Sequence, residues 1–156
     1  MSTSPQRNSI AIHIRRLTPD DADPAAELSG QLGYSCPAED LRDRIDELSR
    51  SADRVAFAAV TGSQDGEIVG WIDAAMERHL QYAASAVIGG LVVREDMRGH
   101  GIGRRLCLEV EEWARSRSVP LVRVRSQIKR EDAHRFYLRD GYRQVKTSLV
   151  FEKKVL

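Results

Sequence analysis

Residues 91–113, LVVREDMRGHGIGRRLCLEVEEW, constrain the fold of this chain more than any other stretch. Leu91, Val92 and Val93 close an apolar run that starts at Ala86 and reads as a buried strand. Residues 94–96 are polar and break that pattern, and Arg98, Gly99, His100, Gly101, Ile102 and Gly103 follow. Beyond them Ile102, Leu106, Cys107, Val110, Trp113 and Ala114 recur on one face of a helix. A strand that feeds a helix through a glycine loop requires sheet and helix to pack as layers.

The junction also has a chemical use. The first turn of a helix carries N–H groups with no intrahelical acceptor, and the macrodipole places partial positive charge there. Glycines leave room for an anion's oxygens to reach those amides. Arg98, His100, Arg104 and Arg105 add cationic or titratable groups to the same turn. This is a site for a polyanion such as a diphosphate. A P-loop is excluded because no Gly-Lys-Ser/Thr follows at the required spacing. A dinucleotide fingerprint is disfavoured because its third glycine comes one place early and Arg104 takes its position. What remains is Arg-x-x-Gly-x-Gly after a strand, met by Arg98, Gly101 and Gly103.

The rest of the chain supplies the elements such a junction needs. Ile10, Ile12 and Ile14 alternate as a first strand, and Thr18-Pro19-Asp20-Asp21 is a helix start expected to run to Leu32 and stop at Gly33. A second helix follows Pro37, with Leu41, Ile45 and Leu48 on one face. Strands are expected at 55–60, 68–76, 86–93 and 121–124, helices at 102–117 and from Glu131 to Gly141, and a closing strand at 142–152. The order predicts one mixed α/β domain over residues 10–156. Its central sheet is mostly antiparallel and twisted, with about six or seven strands and four flanking helices. Residues 1–9 read as a flexible tail.

Lys plus Arg number 24 against 23 Asp plus Glu, so there is no general basic field for nucleic acid. Cys36 and Cys107 have no metal-ligand spacing, so no metal site is expected and free thiols are the default. The N-terminal residues lack the apolar core of a signal peptide, and no run is long enough for a bilayer. A soluble cytoplasmic protein with no membrane partner is expected.

The glycine loop resembles the acetyl-CoA diphosphate loop of the GNAT superfamily of N-acetyltransferases. The element order is similar to that family's over nearly the whole chain from Ile10. Leu32-Gly33-Tyr34 and Ala133-His134-Arg135-Phe136-Tyr137-x-x-x-Gly141-Tyr142 match motifs that recur among its members. The resemblance implies acetyl-CoA as co-substrate and acetyl transfer to a primary amine of a small molecule or peptide, by direct attack in a ternary complex. It implies that Leu91, Val92 and Val93 expose backbone to the pantetheine arm and aim an amide at the acetyl oxygen. Arg98, Gly99, His100, Gly101, Ile102, Gly103 and Arg104 would hold the diphosphate. Tyr137 matches the family tyrosine whose hydroxyl lies near the sulfur, and a phenol, neutral at pH 7, suits a proton donor to the departing thiolate. A homodimer is expected, because terminal strands in this family often pair or exchange between subunits.

Two positions depart from the family pattern. Where many members carry a carboxylate on the strand before the loop, this chain has Gly89 and Gly90, which read as a bulge or as room for a ligand's approach. Trp71, Asp73, Ala75 and Glu77 share one face of the neighbouring strand by alternation. Glu77, beside His79 at the strand's end, ranks first there as general base. Where relatives carry an asparagine that contacts the CoA arm, this chain has Arg130, either a phosphate ligand or a surface charge. Acceptor recognition is expected around residues 31–36 and after Glu77 and Tyr142, with Tyr34, Tyr82 and Trp71 as candidate walls. Cys107, on the apolar helix face, is a poor acyl carrier. The competing readings are a non-catalytic acyl-CoA-binding or regulatory module and, further off, a nicotinamide-dependent oxidoreductase.

Overall fold

The computed structural model describes residues 10–156, and the tail expected at residues 1–9 lies outside them. Strand β1 (Ile12–Arg16) leads into a single 3-10 turn, Pro19–Asp21, and then helix α1 (Ala22–Ser29). Asp21 fixes this corner. Its carboxylate accepts the Thr18 N–H at 2.8 Å and both arms of the Arg15 guanidinium at 2.7 and 2.9 Å. Burial opposes the charge of Asp21, but the bonds from Arg15 and Thr18 outweigh it and hold its pKa below the usual carboxylate range. The expected helix end appears as a 3-10 turn, Gly30–Leu32, closed by Gly33 at φ +81°. Helix α2 (Ala38–Ser49) then buries Ile45 and Leu48.

Strands β2 (Arg54–Thr61), β3 (Ile68–Glu77), β4 (Ser85–Val93) and β5 (Leu121–Val124) join β1 in one sheet of order β1-β2-β3-β4-β5. The first three pairings are antiparallel and β4–β5 is parallel. Helix α3 (Ile102–Ser116) makes the crossover that a parallel pair needs. Small residues on the sheet let helices approach both faces. On one face Ala22, Ala25, Leu28, Ile45 and Leu48 pack with Ala56, Ala58, Val60, Ile68 and Val92. On the other, Leu106 of α3 comes so close to Gly70 that an added Cβ would lie 3.4 Å from its Cδ1. Trp71 belongs to the first face and donates its indole N–H to the Ala25 carbonyl at 3.2 Å.

The described chain divides into two compact units, the first ending at Arg125 and the second spanning Ser126–Leu156. The second contains α4 (Glu131–Arg139), followed by Gly141 at φ +92°. The expected strand at 142–152 does not form: no residue after Arg139 belongs to a helix or strand. The sheet therefore has five strands, not six or seven. Val145, Thr147, Leu149 and Phe151 do alternate as a strand would, but alternation reports which side chains share a face, whereas a strand exists only when its backbone finds a ladder partner. No helix among the described residues is long and apolar enough to cross a membrane.

Candidate active site

The parallel ladder between β4 and β5 is short. Its register runs from Ser85 opposite Leu121 to Ile88 opposite Val124, and stops. At that point β4 also slips against β3: Asp73 faces Gly90 and Ala74 faces Ile88, which leaves Gly89 as a bulge residue. Bulges bend the strand that carries them. From Gly89 to Val93 the β4 edge turned away from β3 therefore carries no ladder to β5, and Leu91, Val92 and Val93 lie along it. The bulge read from Gly89 and Gly90 is present.

Downstream the chain makes a 3-10 turn, Glu95–Met97, and reaches α3 through the glycine loop. Gly99 has φ +81°, and Gly101, the N-cap of α3, has φ +74°. Glycine adopts this region without steric cost. A Cβ added at either would meet nothing within 4 Å, so both face open space that an anion can enter. Arg98, Gly99, His100, Gly101 and Arg104 are exposed. The ring Nδ1 of His100 lies 3.1 Å from the carbonyls of Met97 and Arg98, and the Arg98 guanidinium donates to the Val93 carbonyl at 3.4 Å. Ile102 is different: the residue is only 2 % exposed, and its side chain anchors the helix in the core. Arg105 donates to the Ile12 carbonyl at 2.8 Å and ties the helix to β1. The loop thus fits a diphosphate by first-turn amides, glycine conformation and flanking cations.

The carboxylates of β3 have distinct surroundings. Glu77 pairs with Ser85 at the start of β4 and receives two bonds from the Arg125 guanidinium, at 3.0 and 2.9 Å. Those bonds, with help from His79 at 3.3 Å, push its pKa down to about 2. Asp73, four residues nearer the glycine loop, faces the bulge itself. Burial raises its pKa, opposed by a hydrogen bond from the Gly90 N–H and by the charge of Arg54. The sequence names both acids but not this difference, because strand register and the Arg125 partner are tertiary facts. Trp71 stands beside Gly90, within 3.0 Å of where a Cβ would be. Tyr34 and Tyr82 are exposed, and Tyr82 meets the His79 ring edge to face at 6.0 Å. Cys107 is fully buried.

In the second unit, Tyr137 is part of an aromatic chain. Its ring meets Phe136 at 5.1 Å and Tyr142 at 5.6 Å, both edge to face. The Tyr142 N–H also donates to the Tyr137 carbonyl at 2.9 Å across the Gly141 turn. Arg130 is the N-cap of α4, its carbonyl accepting the His134 N–H at 3.2 Å.

An open stretch of the β4 edge thus leads into a helix start suited to an anion. Comparison with known proteins agrees: the model of the Acetyltransferase (GNAT) family matches residues 22–142, and the chain belongs to that family. It is 46 % identical over 141 residues to the aminoalkylphosphonate N-acetyltransferase of Salmonella typhimurium, covering 84 % of each chain. It is 26 % identical over 142 residues to an aminoglycoside N(6')-acetyltransferase type 1 of Stenotrophomonas maltophilia, covering 88 % of this chain and 90 % of that one. Among solved structures, the aminoglycoside N-acetyltransferase AAC(6')-Iy in complex with CoA superposes with a TM-score of 0.82 at 15 % identity, over 95 % of this chain and 98 % of that one. The chain is an acetyl-CoA-dependent N-acetyltransferase.

Proposed function

We propose that the acceptor is a small-molecule primary amine that carries an acidic group, with aminoalkylphosphonates as the substrate class. The observation that carries this reading is the 46 % identity to an enzyme named for that substrate. Charge supports it. Near the end of β3, Glu77 is engaged by Arg125, Asp53 pairs with Arg78 at 3.1 Å, and Arg54 stands on the neighbouring strand. Carboxylates already held by arginines are poor partners for a polycationic aminoglycoside.

In this reading the amides at Gly101 to Gly103, with Arg98, Gly99, His100 and Arg104, bind the diphosphate of CoA. The edge at Leu91, Val92 and Val93, beyond the ladder to β5, pairs with the pantetheine arm and offers an N–H to the developing oxyanion. The amine attacks directly in a ternary complex, and Tyr137 protonates the departing sulfur. The enzyme works as a homodimer. The test is CoA release with aminoethylphosphonate, its carboxylate counterpart, an uncharged alkylamine and an aminoglycoside. We expect kcat/KM for the phosphonate to exceed that of the uncharged amine by about tenfold or more, the worth of one charge-assisted contact. Higher kcat/KM on the aminoglycoside would overturn the acidic-acceptor reading.

A further inference from the structure

Two consecutive glycines in the middle of a central strand are costly, since they add backbone entropy to the unfolded chain and offer nothing to pack. Something must use the space they leave. At Gly89 an added Cβ would lie 2.7 Å from Oδ2 and 3.1 Å from Oδ1 of Asp73, and at Gly90 it would lie 3.2 Å from Oδ1. The carboxylate of Asp73 thus occupies the place where β4 side chains would stand. It is held there by the Gly90 N–H, at the residue where β4 bulges and next to where its ladder to β5 ends. Gly89 is exposed, so this position is open to solvent and to a small acceptor.

We infer that Asp73 is the general base of this enzyme, its carboxylate reaching from β3 across the Gly89–Gly90 gap to the acceptor nitrogen. The inference rests on the acetyl-transfer reading of this site, not on the identity of the acceptor. Glu77, the other carboxylate on this face, lies four residues farther along, about 13 Å at the rise of a strand. Its two bonds to Arg125 also lower its proton affinity, against the direction a base needs. In the step itself the neutral amine nitrogen attacks the acetyl carbonyl carbon. Its N–H proton passes to Asp73, directly or through one water. The C–S bond breaks, and the thiolate leaves with the electron pair and is protonated in turn. Burial of the Asp73 carboxylate raises its proton affinity, in the direction a base needs. The charged side chain facing it is Arg54 on β2, and β4 presents only Gly89 and Gly90.

The test compares wild type with Asp73→Asn, whose amide oxygen can still accept the Gly90 N–H. The assay uses whichever amine wild type turns over best, so failure of the phosphonate reading changes the amine and not the comparison. We expect kcat to fall about 10²–10⁴-fold, while KM for acetyl-CoA stays within about threefold. The acid limb of the wild-type kcat profile, where activity falls as pH drops through the raised pKa of Asp73, should vanish in the variant. A merely structural role would leave that limb in place. Wild-type turnover in Asp73→Asn, or loss of the limb in Glu77→Gln but not in Asp73→Asn, overturns the assignment. If Asp73→Asn does not fold, the exchange Asp73→Gly with Gly89→Glu decides, since the nearest atoms to a Gly89 Cβ all belong to Asp73 and the exchange returns a carboxylate to the same space from β4. Recovery of at least about tenfold over Asp73→Gly alone supports the base, and no recovery overturns it.

Discussion

Tyr137 shows how far a single residue can be read. Resemblance to the family motif implies a hydroxyl near the leaving sulfur, and the fold gives its ring two edge-to-face neighbours, Phe136 and Tyr142. A ring fixed on both sides holds a hydroxyl in one place, which is what a proton donor requires. Tyr137→Phe keeps those ring contacts and removes only the O–H. The expected outcome is unchanged affinity for CoA by calorimetry and turnover lower by about 10²–10⁴-fold. Wild-type turnover would remove Tyr137 from the mechanism. Glu77 makes the opposite point. In sequence it is an acid at a strand end beside a histidine; in the fold it is the anchor of Arg125.

Among the elements, the strand–loop–helix unit from β4 to α3 is the proposed seat of the co-substrate. Its working surface is backbone, so substitutions act through conformation. Gly101 is the sharpest position, because φ +74° is strained for any residue with a Cβ and worse for a β-branched one. Gly101→Val is expected to raise the Kd for CoA by about tenfold or more, read by calorimetry, with melting temperature followed in parallel. Unchanged CoA affinity would contradict the diphosphate site. The unit was legible because each part has a local signal: an apolar run, glycines, a helical stripe. The bulge in β4 was legible only as an alternative. Gly89 and Gly90 announce an irregularity, but its form depends on the register against β3 and on where β5 stops.

For the molecule as a whole, residues 143–156 stand out. Val145, Leu149, Val150, Phe151, Val155 and Leu156 are all exposed, most of them above 80 %. Clustered apolar side chains of this kind mark an interaction surface more often than a solvated end. This supports the proposed homodimer. Light scattering on the eluting full chain should give about twice the chain mass of 17.5 kDa. A monomer at micromolar concentration would refute it.

Local patterns by themselves determined most of the architecture: periods of two and 3.6 placed five strands and four helices, and the glycines with their cationic flanks marked the candidate anion site. These signals survive without a fold because they are written in residues close together in the chain. Tertiary structure alone decided which acid faces the gap, which acid is spent on Arg125, and that the alternating tail at 142–152 has no ladder in the five-stranded sheet. Each of these depends on a partner far away in sequence. Proton affinity and strand pairing are set by that partner, and no local pattern encodes it.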